Sequence, residues 1–383
     1  MNSRERVKRA FHYEKPDRVP LFCMNLLKSD FLYGILFNPK HWQPENYPPH
    51  VPGGVNSISK LYYRLFVYNW KKEFRREAKE AKKWWKAPHI SIDEWNVLWK
   101  SAGTKTNDIT KGHPFLGPLQ ENWDNLDYIK IPDGANLDRF RLIRNRLWKI
   151  LAKNRYTLGA LGANGFFNLC SQMRGFSNIL IDFKRNSKKI SKLINIITPF
   201  YLNQIEQFKK VYPSLDSIYI ADDLGTQKSP FISPSIFNSF FKGPYKEIIA
   251  LTHDLGMDFI FHSCGQIFEL MPSIIETGIN TFQFDSPLMT GVKNFKIFAE
   301  ENKVAFWLSS NIQSTYILGT PTQVENEIKY YIKHIGKVDG GLAIYEYDAN
   351  KTLGTPRENI IAQRRATQKW GSYNKDGTIN WLS

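Results

Sequence analysis

The sequence predicts a single α/β domain, a (β/α)8 TIM barrel with an N-terminal elaboration. Three observations carry this. In the second half of the chain, apolar runs rich in Ile, Phe and Tyr alternate with helical patterns, which implies a parallel sheet. Glycines stand just past the expected helix ends. Every expected strand there ends in a polar cluster, as barrel strands do at the face that carries the site.

In chain order, residues 18–23 and 156–161 are the candidate strands of the first half. Between them, residues about 38–123 are rich in Trp, Pro and Lys without sustained periodicity. They are expected to be an elaboration of the first barrel units, with a helix near 62–85 and a hairpin around 92–104. The second half places strands at 215–221, 258–261, 280–284, 304–308 and 342–345. Helices are expected at 235–255, 267–277 and 322–335. Ser233 and Pro234 supply a cap and a helix-start proline for the first of these. Gly256, Gly278 and Gly336 are expected in the left-handed conformation after three helix ends. No internal repeat or linker divides the chain, so residues 1–383 are read as one domain.

Composition narrows the function. The chain carries 52 Lys and Arg against 36 Asp and Glu, a formal charge of +16. Two basic clusters, residues 71–86 and 184–192, are read as solvated helix faces, since Glu73, Glu77 and Glu80 interleave with the first. No helix-turn-helix, zinc-finger or RNP pattern points to nucleic acid. No apolar stretch reaches about 18 residues, so no membrane insertion is expected. Cys23, Cys170 and Cys264 are too few and scattered for a disulfide framework, and the start of the sequence has no apolar leader centre. A cytoplasmic setting is expected, with a small-molecule substrate.

The polar strand ends hold the candidate site. His262 and Cys264 stand two apart in a strand, so both side chains point to one side and can share one ion. Imidazole and thiolate suit zinc. The alternative is a buried structural cysteine beside a hydrogen-bonded histidine. A catalytic zinc commonly has three protein ligands. With no cysteine after Cys264, the third is sought at other strand ends, among Asp348, Glu346 and Asp222. Asp222 and Asp223 are candidate catalytic residues as acid, base or substrate-orienting groups, against the plainer reading of a capped turn. Arg174, Gln227 and Asn311 are candidate substrate-binding residues. Arg174 can hold a carboxylate or phosphate, or a structural ion pair.

The segments Asn2-Ser3-Arg4-Glu5-Arg6-Val7 and Pro16-Asp17-Arg18-Val19-Pro20 resemble the opening of uroporphyrinogen decarboxylase superfamily members. Met173-Arg174-Gly175-Phe176, Asp222-Asp223-Leu224-Gly225-Thr226-Gln227, His262-Ser263-Cys264-Gly265 and Thr355-Pro356-Arg357-Glu358-Asn359 follow in that family's order. The resemblance implies a (β/α)8 barrel with its site at the strand C-ends. True decarboxylases of this family carry an arginine-rich stretch soon after the first strand. Here that region reads Met24-Asn25-Leu26-Leu27-Lys28-Ser29-Asp30, without arginine. The family's other branch comprises methyltransferases that move a methyl group from a corrinoid to a thiol and bind zinc through an H-x-C pair and a later cysteine. His262 and Cys264 match the pair, and no later cysteine is present. The resemblance therefore implies methyl transfer with zinc and a corrinoid methyl donor, with a separate corrinoid protein as the candidate partner. The alternatives are decarboxylation of a tetrapyrrole or smaller acid, and a non-catalytic corrinoid- or porphyrin-binding protein.

Overall fold

In the computed structural model, eight parallel strands form the barrel sheet. The structure describes residues 1–39, 46–47, 50, 88–102, 112–162, 164–336, 339–347 and 353–382. The barrel strands are β1 (Leu21–Phe22), β2 (Phe31–Gly34), β6 (Tyr156–Ala160), β7 (Ser217–Ala221), β8 (Asp258–His262), β9 (Thr281–Phe284), β10 (Ala305–Leu308) and β11 (Leu342–Tyr345). Their order is β1-β11-β10-β9-β8-β7-β6-β2. The two ends of the sheet meet at Asp30. Its N–H donates to the Leu21 carbonyl at 2.9 Å, and its carboxylate accepts the Leu21 N–H at 2.9 Å. The same buried carboxylate takes Arg6 at 2.8 Å and Arg18 at 2.8 Å, so its charge is compensated where it is dehydrated.

Aromatic rings fill the barrel where β1, β2, β10 and β11 face one another. Phe31 stacks on Trp307 at 4.6 Å, and Phe22 stacks on Tyr345 at 5.2 Å. All four are nine-tenths or more buried. Tyr33 reaches Tyr219 at 6.1 Å, continuing the aromatic contacts across the interior.

The expected strands of the second half are present, each within two residues of its expected start. The first half differs. The strand expected at 18–23 is only Leu21–Phe22, and β2 was not expected at all. β2 is four residues, FLYG, buried throughout, so it shows no alternation to read. The expected hairpin is present slightly earlier, as β3 (His89–Ile92) and β4 (Leu98–Ser101), and β5 (His113–Leu116) extends it to three antiparallel strands. The helix expected near 62–85, with the basic cluster 71–86, lies outside the described residues. The cluster 184–192 joins two helices, Phe176–Arg185 and Ser187–Val211, and its Lys and Arg side chains are exposed.

Helix 235–255 is two helices, Pro234–Phe240 and Lys242–Asp254, and 267–277 shortens to a 3-10 turn and the helix Met271–Ile275. The Ser233 hydroxyl accepts the Ile236 N–H and Pro234 opens the helix, as expected. Gly256 (φ +70°) and Gly278 (φ +98°) take the left-handed form. Gly336 does not. A Cβ there would stand 3.0 Å from the Leu342 side chain, so close packing accounts for that glycine. Among the described residues, no helix is long and apolar enough to cross a membrane.

Candidate metal centre

The C-terminal ends of β7 and β8 are zipped together by backbone contacts. Asp222 N–H donates to His262 O at 2.9 Å, Gly225 N–H to Cys264 O at 3.2 Å, and Gln266 N–H to Thr226 O at 2.7 Å. The Ser263 hydroxyl accepts the Leu224 N–H at 3.0 Å. The two glycines are required where these loops touch. At Gly265 (φ +82°) a Cβ would lie 2.3 Å from Gly225 O, and at Gly225 it would lie 2.7 Å from Gln266 N.

This zipper sets three donor atoms beside one another. His262 Nε2 is 3.4 Å from Cys264 Sγ and 3.4 Å from Asp223 Oδ1. The ligand atoms of Asp223, His262 and Cys264 all lie within 4.8 Å of one another. The Cys264 N–H also donates to Asp223 Oδ1 at 2.9 Å, which orients the carboxylate. The Asn168 carboxamide, turned to satisfy both bonds, brackets the Asp223 backbone at 2.8 and 3.1 Å.

Behind the cluster stands a relay. His262 and Gln283 are register partners on β8 and β9, so both side chains enter the barrel together. His262 Nδ1 bonds Gln283 Oε1, and Gln283 Nε2 donates to Asp285 Oδ1 at 2.8 Å. Since a carboxamide oxygen only accepts, Nδ1 carries the proton, and Nε2 is the atom turned toward Cys264 and Asp223.

The electrostatics suit a cation. Burial works to raise the Asp223 carboxyl, but the hydrogen bond and charge of His262, with the Cys264 N–H, hold it well below the usual range. Burial disfavours the His262 imidazolium, yet negative charge at Cys264, Asp285 and Asp223 raises its pKa well above the ordinary value. Burial pushes the Cys264 thiol up to about 11, with His262 acting the other way.

Two of the three donor separations suit zinc. Tetrahedral bonds of about 2.0–2.3 Å put ligand atoms roughly 3.3–3.8 Å apart. Both 3.4 Å separations from Nε2 fall in that range.

The third member of the cluster differs from expectation. It is Asp223, not Asp222 or Glu346. Asp222 points away, fully buried, accepting from Phe167 N, Asn168 N and Tyr245 Oη at 3.1, 2.8 and 2.6 Å. Burial raises its pKa to about 7 against those three donors. Gly165 stands against it, where a Cβ would lie 2.2 Å from Asp222 Cβ. Glu346 is held by the guanidinium of Arg364 in two bonds, at 2.5 and 2.7 Å. Asp348 lies outside the described residues.

The substrate-binding candidates are not gathered here. Arg174 is buried, bonded to Asp182 at 2.7 Å and to the carbonyls of Leu119 and Gln120, with its guanidinium over Trp123. These contacts support the structural ion pair of its two readings. Asn311 N–H donates to Glu327, and its carboxamide oxygen caps Gln313. Gln227 reaches Gln313 at 3.4 Å on the exposed rim. Sequence reasoning missed Gln283. Its signal was a lone carboxamide between Phe282 and Phe284 in an otherwise apolar strand.

A cavity of about 260 Å³ opens beside the cluster. Residues following β2 and β6, the β3–β4 turn and the end of β7 line it. Tyr219 belongs to both places. It lines the cavity, its hydroxyl lies 3.4 Å from Gln283 Oε1, and its ring is 6.2 Å from that of His262.

With this geometry in place, the comparisons are concordant. The family model described as uroporphyrinogen decarboxylase (URO-D) matches residues 96–370. Among solved structures, a methyltransferase from Methanosarcina mazei superposes with a TM-score of 0.60 at 15% identity, covering 96% of this chain and 99% of that one. That likeness is one of fold. No curated protein matches the sequence.

Proposed function

Since the chain belongs to the uroporphyrinogen decarboxylase family, we propose that it is a zinc-assisted methyltransferase moving a methyl group from a corrinoid to a thiol. The observation that carries this reading is the Asp223, His262 and Cys264 cluster at the C-terminal ends of two adjacent barrel strands. The structural neighbour from Methanosarcina mazei is a methyltransferase, in keeping with it.

Asp223 Oδ1, His262 Nε2 and Cys264 Sγ would hold the zinc. Bound there, zinc supplies a positive charge that favours the thiolate form of an acceptor thiol, the form that attacks a methyl group. Gln283 holds the His262 tautomer that presents Nε2. The Cys264 N–H fixes the carboxylate. In such a transfer the methyl group would pass to the acceptor sulfur, the thiol proton would leave to solvent, and the electron pair of the broken bond would stay with the corrinoid. The positive net charge favours a separate, acidic corrinoid protein as donor.

The described site favours porphyrinogen decarboxylation less. Asp222, its candidate acid, is turned into the protein. A carboxylate-rich substrate needs arginines to clamp it. Among the described residues, the arginine lining the cavity, Arg139, is paired with Glu94.

The test is methylcobalamin demethylation in the presence of a small thiol such as 2-mercaptoethanol, followed by absorbance. Zinc-loaded protein is expected to accelerate it, and Cys264→Ala is not. Equal rates for the two, or no acceleration at full zinc loading with a panel of thiols, count against methyl transfer.

A further inference from the structure

The cavity beside the cluster has a chemistry of its own. Its walls are aromatic: Phe37, Trp95, Trp99, Phe200 and Tyr219 all face it. Its charged groups already have partners. Arg139 gives both terminal nitrogens to Glu94 and its Nε to the Asp133 carbonyl. Asp93 accepts Trp95 N at 2.9 Å, Val97 N at 3.0 Å and Trp99 Nε1 at 2.7 Å. His50 bonds Ser91 through Nδ1 and stacks on Trp99 at 4.4 Å. An anionic ligand would lose its water here without gaining an unpaired cation among the described residues, and the Asp93 carboxylate that a cation would meet is already bonded by three N–H groups.

Size narrows the class further. A dry cavity of about 150 Å³ holds benzene in another protein. At about 260 Å³ this one has room for a single substituted ring. A polar group is available. Gln172 lies one helical turn from Leu169 on the same face of the helix Phe166–Arg174, and both line the cavity. The Gln172 carboxamide has no hydrogen-bond partner among the described residues.

We infer that this cavity binds an uncharged, single-ring aromatic compound bearing one hydrogen-bonding substituent. The ring stacks among the tryptophan and phenylalanine side chains, and the substituent bonds Gln172. Tyr219 separates such a ligand from His262, so it lies next to the metal cluster. Binding itself does not require the metal, which makes this inference independent of the proposed activity.

The experiment uses ligand-observed NMR on the full chain, with and without zinc, and three probes: phenol, benzoate and benzyltrimethylammonium. Phenol is expected to bind in both states, and the two ions at least tenfold more weakly. Gln172→Leu is expected to weaken phenol roughly 2–10-fold, the worth of a neutral hydrogen bond, with zinc stoichiometry unchanged. Ala160→Phe, which fills the cavity, is expected to abolish phenol binding. Equal or tighter binding of either ion overturns the inference, as does no phenol binding or phenol binding unaffected by both variants. Loss of zinc binding with phenol binding intact would instead remove the metal reading and leave the cavity assignment standing.

Discussion

Cys264 donates its backbone N–H to Asp223 Oδ1 at 2.9 Å while its thiol sulfur lies 3.4 Å from His262 Nε2. One residue thus contributes a donor atom to the cluster and orients another. The arrangement exists because β7 and β8 are neighbours in register, with Ala221 opposite His262. It predicts how each part fails.

Gln283→Leu removes the acceptor that fixes the His262 tautomer and keeps the side chain's approximate volume. Zinc affinity is expected to fall roughly 10–100-fold, the usual effect of losing such a partner. Competition against a chromogenic chelator measures it. An unchanged affinity would show that Gln283 only packs.

Zinc affinity is expected to rise with pH. Both His262 and Cys264 have raised pKa values in the metal-free protein. Each must lose its proton to bind, so near neutral pH zinc displaces protons from the site. Calorimetry in buffers of differing ionisation heat should count between one and two protons released per zinc. Release of none would contradict the ligand assignment.

The His12–Asp258 contact should make a small pH-dependent contribution to stability. His12 Nε2 lies 3.0 Å from Asp258, and that hydrogen bond raises the imidazole pKa against burial. The contribution is full below the ordinary histidine value and is lost as pH rises through the raised one. With 42% of its side chain exposed, His12 is expected to contribute less than about 1 kcal/mol. Melting temperatures of wild type and His12→Gln should differ at pH 5.5 and converge by pH 9. A pH-independent difference would assign the effect to packing.

Asp30→Ala should open the barrel seam. It removes the bonds that the carboxylate takes from Arg6, Arg18, the Ser3 hydroxyl and the Leu21 N–H. A loss of about 3–5 kcal/mol is expected, the cost of leaving a buried pair broken, measured by urea denaturation. A loss under about 1 kcal/mol would mean that the β1–β2 junction holds without it.

Much of this was legible in the sequence, and the misses have physical causes. The strands β7 to β11 were readable because each apolar run stops at a polar cluster. His262 and Cys264 were readable because alternation puts i and i+2 on one side. The third cluster member was not. The sequence places Asp223, Glu346 and Asp348 at strand ends on one face, but not at which position around it. Glu346 is claimed by Arg364, from the following helix, and no spacing rule connects the two. Arg174 carried a family motif and an ordinary structural role at once, and its partner Asp182 is set by the turn between two helices. β2 escaped because four buried residues show no period.

The central claim is that Asp223, His262 and Cys264 bind one zinc, and its most direct measurement is calorimetric titration of chelator-treated protein. Wild type is expected to take up zinc toward one ion per chain, more tightly than roughly 10 μM, equivalent to about −7 kcal/mol. Cys264→Ala and Asp223→Ala should each lose that site, while Glu346→Gln and Cys170→Ala keep it. A wild-type protein with no site tighter than that limit, or an Asp223→Ala variant that binds as wild type does, would contradict the account.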